Sequence, residues 1–471
     1  MRRLLIFGLL VLPANVVHAQ RPVLTTEMLA RELLGKLVAI NTTLSEGATT
    51  PAAESLAVQF RATGFPATDV LVIGPNAKQK NLVVRWRGRN RALKPIVFNA
   101  HLDVVEAPKL EWSTHPFRLT EKDGYLYGRG VLDDKGPAAA IVAAWIAARR
   151  RGAVPDRDLV LALTAGEETD VGNGAKWLVG TRRALVDAEY VLNLDSGGAD
   201  LSGDVVRAFA LEAAEKVYLD LTMTARGAGG HSSVPQGDTP INQLARALTR
   251  VDAYRFPVKL NPVVRSFFEQ RAMLGDEGSS AMAALAKEPN DLAAQSTLVK
   301  TPYFNAQLRT TCITTMLRAG TAPNAIPQEA TATVNCRILP GESADSVIAT
   351  LTREVADTSV VFSIFTPALV SGPSMPTPAI LALIGRAVAS VAPNTQVIPY
   401  MEVGGTDAGY FRNVGIPVYG VAGMFVPQSD IGRMHGRDER ISLRAFREMV
   451  RYSEHLLAEV GSFPPPRGVR E

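Results

Sequence analysis

The chain has 471 residues, of which 46% are hydrophobic and 20% charged, the balance of a folded globular protein long enough for two domains. Its formal net charge is +4 and no basic run is interleaved with aromatic residues, which argues against a nucleic-acid partner. Beyond Gln20 no stretch is long and apolar enough to be expected to span a membrane.

Arg2-Arg3, the apolar run 4–12 and Val17-His18-Ala19 have the order of a secretory signal over residues 1–19. A periplasmic or secreted protein is therefore expected, with an uncleaved N-terminal anchor as the alternative. Apolar spacing predicts helices over 25–38 and 51–63, and β-branched runs predict strands over 81–86 and 95–100. Gly136-Pro137 opens an alanine-rich helix over 137–150. Residues 159–164 and 190–194 are almost wholly apolar, as in strands buried on both faces, with a helix over 174–185 between them. This alternation predicts an α/β layer on a mostly parallel sheet.

The pattern changes near Ala214. A half-exposed strand over 216–225 is followed by a helix over 239–254, strands over 310–317 and 330–339, a helix over 343–354 and a strand over 360–365. That is the split βαβ order of a small α+β sandwich. Residues 255–308 form an insertion within it, helical over 279–287. The α/β pattern resumes with elements over 378–391, 404–411, 416–420 and 443–460. A smaller domain, 214–366, is thus expected inside a larger one built from 20–213 and 367–471. Cys312 and Cys336 lie about equally far from the turn between their strands, so a disulfide and two buried thiols stand as alternatives.

In parallel α/β sheets ligands bind beyond the carboxyl ends of the strands. His101, Glu167-Glu168 and Asp195 each follow an apolar strand directly, which predicts that they converge. His101 and Asp103 are two positions apart and point to one side of an extended chain. His101 can offer one nitrogen to a metal while Asp103 takes the proton of the other. Glu167 and Glu168 diverge, so one can ligate while the other stays free to move protons. Asp133-Asp134-Lys135-Gly136 precedes a helix, where a carboxylate can bridge two cations, although an N-cap alone would account for either aspartate.

Together, His101-Leu102-Asp103-Val104-Val105, Tyr127-Gly128-Arg129-Gly130-Val131-Leu132-Asp133-Asp134-Lys135-Gly136, Gly166-Glu167-Glu168, Leu194-Asp195-Ser196-Gly197-Gly198 and His435-Gly436-Arg437-Asp438-Glu439-Arg440 resemble the co-catalytic zinc hydrolases of peptidase family M20. That family includes glutamate carboxypeptidase, aminoacylase, succinyl-diaminopimelate desuccinylase and carboxypeptidase S. The resemblance implies a three-layer α/β/α catalytic domain with an inserted ferredoxin-like lid and dimerisation domain. It also implies two Zn2+, with cobalt or manganese as substitutes. Asp133 would bridge the ions, His101 and Asp195 completing one site, Glu168 and His435 the other. Asp103 would orient His101, and Glu167 would be the general base.

In the lid, His231 within Gly229-Gly230-His231-Ser232-Ser233 resembles the family's oxyanion-stabilising histidine, often supplied by a partner subunit. Asn324 and Arg337 match positions that hold a substrate carboxylate, and Gly404-Gly405-Thr406-Asp407 matches a substrate-contacting loop. Glu106 and Gly166 stand where the family usually has Pro and Asp. Trp112, His115-Pro116-Phe117 and Asp123-Gly124-Tyr125 most resemble the carboxypeptidase S branch. The implied activity is hydrolysis of an amide bond beside a free carboxylate, in a small peptide or an N-acyl amino acid, by a homodimer paired through the lid. The other class to weigh is an exported, non-catalytic peptide-binding protein; retention of Glu167 and every metal ligand argues against it.

Overall fold

The computed structural model describes residues 25–234, 236–366 and 368–465; the expected signal segment lies outside them. The larger sheet runs in the order Val70–Ile73, Asn81–Trp86, Leu159–Thr164, Ile96–His101, Tyr190–Asn193, Val418–Gly420, Val205–Glu215, Val397–Glu402, with Gly198–Ser202 paired to Val205–Glu215. Its centre is parallel, where Ile96–His101 lies between Leu159–Thr164 and Tyr190–Asn193. Asn81–Trp86 and Val70–Ile73 run antiparallel at one side, so the sheet is mixed rather than mostly parallel. The sequence hides two of these strands. Val205–Glu215 is rich in alanine, and Val397–Glu402 contains Pro399. Proline lacks the N–H that an inner strand must donate, and Val397–Glu402 is accordingly the outermost strand.

Alternation along the central strands makes the three layers. Leu159, Leu161 and Leu163 face one core with the helices Thr26–Ala39, Lys135–Arg150 and Leu443–Gly461. Val160 and Ala162 face another, with Ala175, Leu178 and Phe411 from the helices Gly174–Thr181 and Ala408–Asn413. A continuous apolar strand is the signature of a sheet covered on both faces.

The smaller sheet has the order Thr311–Ala319, Glu329–Ile338, Val217–Arg226, Val360–Thr366, antiparallel throughout. The helices Pro240–Ala253 and Ala344–Val355 pack on one face, over Leu219, Leu221, Val334 and Ile338. This is the ferredoxin-like sandwich. Cys312 and Cys336 oppose each other in register and are joined as a disulfide.

The expected insertion is four helices, Pro262–Ala272, Ser279–Lys287, Leu292–Leu298 and Pro302–Leu308. Val264, Phe268, Leu285 and Leu298 join the larger core with Ile398 and Met401. The segment therefore belongs by packing to the larger body, although in sequence it lies inside the smaller one. Its apolar faces need a partner, and the edge strand Val397–Glu402 supplies one. Where the chain crosses between bodies, Lys216 Nζ donates to Ala306 O at 2.9 Å, Arg309 O at 2.8 Å and Thr311 Oγ1 at 3.1 Å.

Candidate metal centre and active site

His101 is the last residue of its strand, and Glu167, Glu168 and Asp195 stand just beyond the ends of theirs. His101 Nδ1 faces the main-chain carbonyl of Asp103 at 3.1 Å. A carbonyl can only accept, so Nδ1 carries the proton and Nε2 keeps its lone pair. That lone pair faces Asp133 Oδ1 at 2.8 Å and Asp195 Oδ1 at 3.5 Å. On the other side of Asp133, Oδ2 lies 2.9 Å from His435 Nε2, which is 3.1 Å from Glu168 Oε2. Within each set, His101–Asp133–Asp195 and Asp133–Glu168–His435, the ligand atoms lie within 4.8 Å of one another. A proton or a cation must lie between groups that face each other this closely, and Glu168 Oε1 is buried with no protein partner. Carboxylates with imidazoles suit divalent first-row ions, so the residues present fit two metals sharing Asp133.

Burial, followed by the Asp195 charge, pushes Glu167 well above the usual carboxylate range. Burial also pushes Asp195 up to about 7 against the attraction of His101. For Asp133 burial acts upward too, but its bonds to His101 and His435 hold it below the ordinary range. The bonds from Asp133 and Glu168 raise His435 to about 10.

Asp103 acts differently from the expectation. Its carboxylate is 3.7 Å from His101 Nδ1, too long for a hydrogen bond. It accepts instead from the amides of Glu167 at 3.2 Å and Glu168 at 3.1 Å. The main chain of Asp103 thus sets the imidazole, and its side chain pins the two glutamates.

Several supporting residues had no role assigned from sequence. Glu439, fully buried, accepts from the amides of Gly130, Leu132 and Asp133 at 2.9, 2.8 and 3.2 Å. Arg129 joins it, donates to Gly436 O at 2.8 Å and lies over the Trp112 ring. Asp134 Oδ2 accepts from the His101 amide at 3.0 Å. Lys135 Nζ donates to Ile40 O at 2.9 Å. Nothing in local spacing marks these partners, because each pair joins distant segments. Glu106, in place of the usual proline, accepts from Ser45 N at 3.1 Å and Ser45 Oγ at 2.9 Å, tying down a loop that lines a pocket beside Asp103 and Gly166.

The Gly404-Gly405 loop is braced by its neighbours. Gly404 N donates to Glu402 Oε1 at 3.1 Å, and Thr406 Oγ1 accepts from Asn193 Nδ2 at 2.9 Å. Asp407 accepts from Thr164 Oγ1 at 2.6 Å and Asn173 Nδ2 at 2.9 Å. Thr406 and Asp407 therefore lock strand ends together, leaving the glycines at the opening.

The lid residues lie at two places apart from this centre. Gly230–His231 pairs with Ala325–Ile326, and Ser232 N donates to Asn324 O at 3.1 Å. His231 is exposed; its Nδ1 accepts from Ser233 N at 3.2 Å, which leaves the proton on Nε2. Arg337 lies over the Tyr218 ring, 4.5 Å from its centroid. Among the described residues no hydrogen bond or ion pair joins His231, Asn324 or Arg337 to the metal ligands within this chain.

The family model "Peptidase family M20/M25/M40" matches residues 97–459. N-fatty-acyl-amino acid synthase/hydrolase PM20D1 of Xenopus tropicalis is 31% identical over 391 residues, covering 81% of this chain and 75% of the relative. Probable carboxypeptidase S-like 2 of Dictyostelium discoideum is 29% identical over 398 residues, covering 80% and 74%. The fold is shared with the M20 metallo-carboxypeptidase Sso-CP2 of Sulfolobus solfataricus at a TM-score of 0.70 and 15% identity, over 92% of this chain and 99% of that one. Human carnosine dipeptidase 1 matches at 0.68 and 16% identity, over 93% and 98%. The chain belongs to peptidase family M20/M25/M40 and is an enzyme of the metallopeptidase and amidohydrolase type.

Proposed function

We propose that the protein is a two-zinc amidohydrolase that cleaves the amide bond next to a free carboxylate, in an N-acyl amino acid or a small peptide. The observation that carries this reading is the Asp133 carboxylate, with a separate acid–imidazole set on each oxygen and the unligated Glu167 pinned alongside. When bound, the ions polarise the scissile carbonyl and acidify the attacking water. Glu167 takes the proton of that water and returns it to the departing amine. Its burial suits the task, since surroundings that push a carboxyl above the usual carboxylate range strengthen it as a proton acceptor. His231, with its proton on Nε2, donates to the developing oxyanion. Within one chain it has no contact with the centre, which supports its delivery by the lid of a second copy. The guanidinium of Arg337, with no side-chain bond of its own among the described residues, supplies a planar fork for the substrate carboxylate; Asn324, held next to His231 at the turn end of the hairpin, is the second candidate for that carboxylate. The names of the similar proteins, a fatty-acyl-amino acid hydrolase and a carboxypeptidase S-like protein, support the same bond class.

We further propose that the protein works outside the cytoplasm. The N-terminal pattern and the Cys312–Cys336 disulfide support this placement.

The test is a panel of N-acyl amino acids and dipeptides against the zinc-loaded protein, each beside its carboxamide-blocked form. Cleavage restricted to the free carboxylates is expected, lost on chelation and restored by zinc. Tight capture of these compounds with no product would identify a binding protein instead. Mixing His231→Ala with Glu167→Gln chains should restore activity that neither has alone.

A further inference from the structure

The outer face of the small sheet, away from its two helices, carries the residues that decide whether Arg337 is available. Tyr218 and Arg337 are a directly paired register position, and Asp220 and Asn335 are the next pair on the same face. Diagonal neighbours across such a ladder are about 7–8 Å apart, within reach of a long side chain. Asp220 is thus the acid nearest to hand for Arg337, and an ion pair between them would fill the fork that a substrate carboxylate needs.

That pair does not form. Asp220 Oδ2 accepts from the Tyr218 hydroxyl at 2.7 Å, and Asp220 Oδ1 accepts from Asn335 Nδ2 at 2.8 Å. Each oxygen is therefore tied to a neutral donor that fixes its direction, and the side chain is buried. The guanidinium lies instead on the Tyr218 ring, a contact that holds a cation without using any of its N–H donors. Tyr218 performs both operations at once: its ring seats Arg337 and its hydroxyl restrains the acid that would otherwise capture it.

Resting on the proposed carboxylate-directed hydrolysis, we infer that Tyr218 is a positioning residue for Arg337, and that Tyr218, Asp220 and Asn335 form a platform that keeps the guanidinium unpaired for the substrate. It explains why an acid can sit two positions along the strand without cancelling the positive site.

Tyr218→Phe keeps the ring and frees Asp220 Oδ2. It should raise KM for carboxylate-bearing substrates about five- to tenfold, leave kcat within about twofold, and narrow the preference over carboxamide-blocked substrates. Adding Asp220→Asn to Tyr218→Phe removes the competing charge and should bring KM back to within about twofold of the parent. A purely structural role for the hydroxyl would give no such rescue. An unchanged KM in Tyr218→Phe, or failure of the second substitution to restore it, overturns the platform while leaving the hydrolase reading intact. Arg337→Met separates the two: if it leaves the carboxylate preference unchanged, the proposed role of Arg337 falls, and the platform with it.

Discussion

Arg129 and Glu439 stand 310 positions apart in the chain, yet the Arg129 guanidinium donates to Glu439 Oε2 at 2.8 Å with both side chains buried. The pair connects the segment bearing Asp133, whose amides Glu439 holds, to the segment bearing His435, whose neighbour Gly436 Arg129 holds. Two loops that each bring a candidate ligand, Asp133 and His435, to the second set are thereby held at one separation.

Glu439→Gln should expose the worth of this pair. Removing one partner leaves a buried guanidinium uncompensated, at a cost of about 3–5 kcal/mol. Loss of an outer support of this kind typically lowers metal affinity about 10- to 100-fold. Denaturant midpoints and metal titration of the refolded protein read both effects; unchanged metal affinity would show that the ligand loops hold their spacing unaided.

Glu167→Gln separates ligation from proton transfer. Glu167 is not in either ligand set, so both metals should remain bound while kcat falls about 10²- to 10⁴-fold. Metal analysis beside turnover measures the two independently. Loss of metal in the variant would mean that Glu167 ligates.

A pH dependence of stability follows from Glu212. This carboxyl is fully buried, 2.6 Å from Arg412 Nη2, and burial pushes it from 4.5 up to about 8 despite that guanidinium. Because the folded value lies above the unfolded one, its contribution to stability is complete below about pH 4.5 and is lost as pH rises to about 8. The slope cannot exceed about 1.4 kcal/mol per pH unit. Comparing denaturation of the parent and Glu212→Gln from pH 5 to 9 should show a flatter profile in the variant. Parallel profiles would mean that Glu212 is ionised throughout.

Cys312→Ser removes the tie between the outermost lid strand and its neighbour. A bond closing a separation of 24 residues restrains the unfolded chain by about 2–4 kcal/mol. Reduction of the parent should cause the same loss, with faster hydrogen exchange concentrated in Thr311–Ala319. Equal exchange in the two forms would mean that the strand is held by its ladder alone.

Much of this molecule is written locally. Strands such as 159–164, almost wholly apolar, announce burial on both faces, and a charged residue just past the tip announces a site. His101, Glu168 and Asp195 were legible for that reason, Asp133 and His435 through motif resemblance, and the structure gathers all five candidate ligands around Asp133. The lid order was legible because its strands alternate, one face on Leu219 and Leu221, the other open.

Other features depended on elements meeting in space. The alanine-rich strand Val205–Glu215 is a strand because neighbours on both sides complete its hydrogen bonds, and residues 255–308 join the larger body because its edge strand offers the apolar surface their helices need. Asp103 looked like the orienter of His101 from spacing alone, whereas the fold brings the Glu167 and Glu168 amides to its carboxylate. Periodicity and residue type determine which groups a segment can present. Which of those groups meet is decided when the layers close, because hydrogen bonds and ion pairs act over a few ångströms while their partners lie hundreds of residues apart.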